Sequence, residues 1–183
     1  DVARVRASTS GRTAMWTAAD VEASLPRQVI YDASWKLSAS HNPAIASYAV
    51  TTQPWTSGIR QTPGMWLQVE LPQPITLTEL QFESPSVAVV EQPIVPGEPP
   101  RSGGGRGAAP PTGVGFPRGY QVEVSTDGTS WSAPIASGAA TSSATAVTFT
   151  PVRAKFVKIT QTATTPDAPP FAMQRLKLYE APQ

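Results

Sequence analysis

From Trp35 onward apolar side chains recur at every second position, and that rhythm limits the fold more than any other feature. Met65, Leu67, Val69 and Leu71 alternate with Trp66, Gln68 and Glu70, the pattern of a strand with one buried face. Ile75 and Leu77 continue it until Leu80 and Phe82 restart the alternation, and the slip at Thr78-Glu79 predicts a β-bulge. Tyr120, Val122 and Val124 form another strand running into Ser125-Thr126-Asp127-Gly128, a tight-turn signal because Gly accepts positive φ. Val147 and Phe149, then Phe156, Val157 and Ile159, then Met173, Leu176, Leu178 and Tyr179 mark the remaining strands. Many short strands between Pro/Gly turns describe an all-β sandwich or jelly roll. Trp66, Tyr120, Phe149, Phe156 and Tyr179 are expected in its core, Trp55 and Trp131 packing strand ends, and Trp35 covering the base.

Composition closes off the helical alternatives. The 183 residues include Pro 20 and Gly 13, the two poorest residues for helix interiors. Charged residues are 15%, below the ~25% of typical soluble domains and far from coiled-coil usage. No apolar run is long enough to span a bilayer.

Two segments depart from the rhythm. Residues 1–34 read as a connector or an edge addition: Val2 and Val5 predict one short strand, and Thr17 with Asp20 forms a capping-box pattern. A helix over Ala18 to Leu25 would follow, stopped by Pro26. Residues 84–119 carry eight Pro and eight Gly, too little apolar surface to offset ordering entropy. They predict a flexible loop inserted into a sandwich of residues 35–183, mobile at its tip and held at its roots near Pro85 and Phe116. The chain opens on Asp1 with no basic-then-apolar leader, so it reads as a mature protein or an excised domain with any export signal already gone, which leaves the compartment open. An extracellular or periplasmic place is a separate expectation.

Catalytic chemistry finds little to work with. His41 is the one histidine and there is no cysteine, which removes thiolate chemistry and leaves a zinc cage short of its usual ligands. No Gly-x-Ser-x-Gly turn presents a nucleophile. Glu70, Glu79 and Glu123 lie on the polar phase of strands, so they read as a solvated face rather than a glycosidase pair. Ser102-Gly103-Gly104-Gly105-Arg106-Gly107 matches no phosphate-binding loop. A net charge of +1 gives no field to recruit nucleic acid, and Arg153, Lys155 and Lys158 read as a solvated edge. Binding is the class that survives.

Five blocks, in order, resemble the coagulation factor 5/8 type C, or discoidin, domain. They are Trp35-Lys36-Leu37-Ser38-Ala39-Ser40; Trp55-Thr56-Ser57 with Pro63-Gly64-Met65-Trp66-Leu67-Gln68-Val69-Glu70-Leu71; Tyr120 through Trp131; Ala154-Lys155-Phe156-Val157-Lys158-Ile159; and Leu176-Lys177-Leu178-Tyr179. The resemblance implies an eight-stranded jelly-roll sandwich and a non-catalytic module, no enzyme, that binds through loops at one end, with roles extending to cell adhesion. Its expected partner is a glycan or polysaccharide. The first alternative is a packing or interaction domain bound to other domains of the same parent protein. Membrane-surface binding is disfavoured, because the loops lack paired apolar spikes backed by Lys or Arg.

A sugar site needs an aromatic plate and a few fixed donors and acceptors. His41, Asn42, Tyr48, Arg60, Phe116 and Phe171 supply them from the loops. The family position of Arg118 implies a structural arginine tied to loop carbonyls. Sugar-binding relatives hold a structural calcium through an acid in the loop before Trp55 and a late Glu. Here Ala49-Val50 runs into Thr51-Thr52-Gln53-Pro54, and Arg175 takes the place of the late Glu. Calcium needs carboxylate oxygens, so no cofactor or metal is expected. The Arg175 guanidinium is expected in its place, bonding loop carbonyls.

Overall fold

The computed structural model describes residues 6–9, 12–15, 17–88 and 112–182. Val2, Val5 and the tip of the expected insertion lie outside them. The chain begins with a hairpin of β1 (Arg6–Thr9) and β2 (Arg12–Met15), two strands where one was expected. Helix α1 (Ala18–Ala23) starts as the sequence requires: Thr17 Oγ1 accepts from Asp20 N, and Asp20 accepts from Thr17 N. It stops two residues earlier than Pro26 alone would impose, because Ser24 already caps it. Strand β3 (Arg27–Val29) then pairs with the last strand, β12 (Pro170–Glu180). The segment is thus an edge addition to the main sheet, one of the two readings its sequence allows.

The body comprises β4 (Lys36–Ala39), β5 (Trp55–Arg60), β6 (Trp66–Glu83), β9 (Tyr120–Ser125), β10 (Ala136–Gly138), β11 (Ala144–Gln161) and β12 (Pro170–Glu180). With β3 these make the eight strands of the main sheet, all antiparallel. The long strands β6 and β11 serve both layers. Their segments 66–70 and 156–160 pair with each other and with β4 and β9, while 75–83 and 144–154 pair with each other and, through β6, with β12. Proline makes the corners, since it donates nothing to a ladder. Pro72 and Pro74 fall in the unpaired stretch of β6, and Pro151 in the register break between Thr148 and Val152. Such breaks let a strand leave one sheet and enter the other. The bulge expected at Thr78 is present: Tyr179 pairs with Glu79 and the next residue, Glu180, with Leu77.

One hydrophobic cluster fills the space between the layers, with Leu67, Val69, Val122, Val157 and Ile159 from one and Leu77, Leu80, Phe82, Leu176 and Leu178 from the other. Burying each such side chain contributes about 1.5–3 kcal/mol. Of the five aromatics expected there, all half-buried, Tyr120 and Phe149 pack against it, while Trp66, Phe156 and Tyr179 do not. Trp66 and Phe156 sit on the phase opposite the buried Leu67 and Val157. Phe156 instead meets Trp131 edge-on at 6.5 Å, and the Lys158 ammonium lies 4.0 Å from the Trp131 ring centre. Lys155 pairs with Glu70 at 3.0 Å and Lys158 with Glu123 at 3.2 Å. β11 is therefore a central strand with a charge-paired outer face, not the solvated edge its lysines imply. The Asp-Gly turn is also longer than a tight hairpin, because ten residues separate β9 from β10. Trp35 is buried at 6% exposure, beside Tyr31.

The roots of the inserted segment are held. β7 (Ser86–Ala88) pairs with β8 (Thr112–Val114), and Gly115 N donates to Pro85 O at 2.9 Å. Among the described residues no helix is long and apolar enough to cross a membrane.

Candidate functional site

The strand β5 organises the loop end. At its start Trp55 is fully buried, packs edge-on against Phe171 at 5.3 Å, and donates from Nε1 to the His41 carbonyl at 3.0 Å. This fixes the backbone at His41, whose Nδ1 lies 2.9 Å from Ser40 Oγ. Asn42 follows in the left-handed region, with φ 47, a conformation Asn tolerates better than most residues. Its Nδ2 donates to Thr56 O at 2.8 Å. Gly58, with φ 74, is required opposite it: a Cβ there would come within 2.8 Å of Asn42 Nδ2. Asn42 and Pro43 then launch a 3-10 helix over Pro43–Val50, where a plain loop was expected. Pro is suited to a first helical position, where its missing N–H is no loss. Ala46 and Ala49 anchor that helix in the core at 0% exposure, leaving Tyr48 outward at 38%.

The far end of β5 carries a second group. Arg60 Nη1 reaches Asp167 Oδ1 at 3.2 Å. Gln61, 4% exposed, donates from Nε2 to Phe116 O at 2.9 Å and accepts from Arg118 N at 3.2 Å. Gln161, at 0% exposure, donates from Nε2 to Gln61 Oε1 at 3.1 Å and to Ala163 O at 2.9 Å. Two buried amides thus tie the segments around residues 61, 116 and 162 together. Arg118 is structural, as its family position implies: Nη2 donates to Val114 O at 3.3 Å and the guanidinium stacks 3.8 Å from the Phe116 ring centre. Partial burial lowers its pKa from the ordinary value, though a guanidinium stays charged.

His41 and Asn42 are thus joined to each other through Trp55 and Thr56. Arg60 lies four residues along the strand from Thr56, about 13 Å away, with Phe116 near it. Tyr48 is six residues from Asn42 along the 3-10 helix, a rise of about 12 Å. These five form a strip across the loops rather than one pocket. Phe171 does not join them. It is 0% exposed, with its backbone N bonded to Ser57 Oγ at 3.0 Å, so its ring supports the strip from below and offers no surface to a ligand.

Sequence reasoning missed Gln61, Gln161, Ser57 and Asp167. A signal existed for Gln161, which continues the inward phase of Val157 and Ile159 and so places an amide where an apolar residue belongs. Arg175 also differs from expectation. Its guanidinium bonds the Glu83 carboxylate at 3.2 Å rather than loop carbonyls, and it is the backbone N that reaches the loop, donating to Thr51 O at 2.8 Å. Among the described residues no three His, Asp or Glu side chains gather as a metal cage.

No protein-family model matches the chain, and no curated protein matches its sequence. Solved structures do match. A family 32 carbohydrate-binding module of Clostridium perfringens NanJ, in complex with galactose, superposes with a TM-score of 0.57 at 18% identity, over 85% of this chain and 100% of that one. An F5/8 type C domain from Bacteroides fragilis gives a TM-score of 0.57 at 18% identity, over 86% and 98%. The chain has the discoidin fold. A chitosan-binding module from Paenibacillus sp. IK-5 extends the likeness, with a TM-score of 0.55 at 19% identity over 78% and 92%. Within this discoidin sandwich, the strip of His41, Asn42, Tyr48, Arg60 and Phe116 lies on end loops carried by a rigid scaffold, where binding residues commonly sit.

Proposed function

We propose that this chain is a non-catalytic carbohydrate-binding module of an exported protein, engaging glycan along the β5 loop strip without calcium. The observation that carries the reading is Tyr48, an exposed ring on a helix pinned to the core through Ala46 and Ala49. A fixed aromatic plate stacks on the apolar face of a sugar ring, and His41, Asn42 and Arg60 supply polar groups farther along the strip for other units of a longer chain. Bonds set before the ligand arrives reduce the ordering cost of binding. Sugar binding by modules of the same fold supports this reading.

Electrophoresis through gels cast with a panel of neutral and charged polysaccharides tests it. At least one polysaccharide should retard the chain. Tyr48→Ala should weaken that retention about tenfold, the effect of removing about 1.4 kcal/mol, with the thermal midpoint unchanged. Silence across the panel sinks the proposal. It would favour a second reading supported by Leu25 at 58% and Ile30 at 74% exposure: a packing domain that buries these exposed apolar side chains against the rest of a larger protein.

A further inference from the structure

We propose that a groove on the outer face of β6, β11 and β12 is a separate binding site for a carboxylate-bearing sugar unit. It is lined by Gln81 and Glu83 of β6, Ala144 and Ala146 of β11, and Arg175 and Lys177 of β12, and encloses about 250 Å³. Register explains the recess. Ala144 pairs with Glu83 and Ala146 with Gln81, while Gln81 also pairs with Lys177. Two methyl groups on β11 therefore form a low floor on one side of Gln81 and Glu83, with Arg175 and Lys177 on the other side. The volume is below the ~300–1,000 Å³ of drug-sized sites, enough for one ring of a longer chain.

The polar groups around that floor are prearranged. Glu83 is held by Gln174 Nε2 at 3.1 Å and by Arg175 Nη1 at 3.2 Å. Gln81 accepts from Tyr179 OH at 3.2 Å and donates to Glu79 at 2.6 Å. The cations are less committed. Lys177 makes no close ion pair among the described residues, its charge acting on Glu83 only at longer range, and Arg175 uses Nη1 alone, leaving Nε and Nη2 without a hydrogen bond there. An open guanidinium edge beside an ammonium matches a planar carboxylate, which Arg grips through two parallel bonds. Ring hydroxyls of the same sugar would donate to the fixed Glu83 oxygens.

The backbone adds a second, independent argument. Arg175 has φ 50 and sits in a register shift of β12 between Gln174 and Lys177. Glycine occupies that conformation freely, whereas a residue with a Cβ is strained in it. An exposed pair with Glu83 returns little stability, so folding alone gives no reason for arginine here. Bulges re-aim side chains at functional surfaces, and strained residues cluster there.

Calorimetric titration of the chain with short oligogalacturonates tests the assignment, with methyl-esterified oligomers and dextran sulfate as comparisons. Binding should weaken at least tenfold in Lys177→Ala, in Arg175→Gly and in Ala146→Leu, which fills the floor. Methyl esterification should abolish it. Arg175→Gly should leave the thermal midpoint equal or higher, which separates recognition from folding. Absence of oligogalacturonate binding, or binding unchanged in Lys177→Ala and Arg175→Gly, overturns the proposal. Equal affinity for dextran sulfate would also overturn it, as the mark of a generic basic patch. The site does not rest on the loop-end reading, and Tyr48→Ala tells the two apart: it should leave uronate binding intact, and loss would assign the uronate to the loops instead.

Discussion

Helix α1 and the β5 loop end are both short, polar-rich and exposed on their outer sides, yet different contacts hold them. The bonds of α1 join residues three or four apart, such as Thr17 to Asp20 and Ser24 to Val21, and none of its residues is buried. Around β5 the bonds span 14 residues from Trp55 to His41, 55 from Gln61 to Phe116 and 114 from Phe171 to Ser57. A segment held only by its own cap can fray while the body stays folded. A segment held by the core forms and melts with it. Tying binding side chains to the second kind keeps their spacing fixed before a ligand arrives.

The sharpest way to break this contrast is Trp55→Ala. The change removes a fully buried ring, its contact with Phe171 and the bond to His41 O. It should cost about 3–5 kcal/mol in chemical denaturation and release the His41–Asn42 segment, while α1 keeps its cap. A cost below 1 kcal/mol would mean that the loop end is as self-contained as α1. A smaller effect is expected for Gln161→Leu. Its Nε2 bonds to Gln61 and Ala163 vanish, leaving the buried Gln61 with one partner fewer. Gln161 Oε1 has no bond of its own among the described residues, so its removal offsets part of the loss. The net cost should be about 1 kcal/mol, with faster amide exchange from 61 to 64 and from 115 to 119.

The same contrast explains what could be read in advance. The cap of α1, the bulge at Thr78 and the inward phase of Leu67, Val69, Val157 and Ile159 are local patterns, and each is legible from neighbours in sequence. The resemblance placed the loops. What stayed hidden was set by distant partners. Phe171 passes for a loop aromatic until β12 is paired with β5, which seals it under Trp55. Phe156 looks like core until register puts it opposite Ser125 and Glu70, on the outer face. Arg175 could be assigned to loop carbonyls only because nothing local showed Glu83, 92 residues away, as its partner.

Acid should separate the two kinds of segment with the smallest perturbation of all. Asp20 has its pKa lowered by the Thr17 backbone and side-chain bonds, and Asp127 has its pKa lowered further by backbone bonds from Ser130 and Thr129 and by Ser125 Oγ. In both, the folded chain holds the proton less readily than the unfolded chain, whose Asp titrates near ~3.9. The stabilisation is therefore complete above about pH 5 and is lost as pH falls through the folded value. For Asp20 the loss stays local, and the Thr17 and Asp20 amides should shift in NMR spectra while the thermal midpoint is steady. Asp127 organises the turn after β9, a strand of the main sheet, so its protonation should lower the midpoint of the whole body. Asp127→Asn should reduce the midpoint near neutral pH and flatten its decline in acid. An unchanged acid limb in that variant would place Asp127 with Asp20, as a local fastening only.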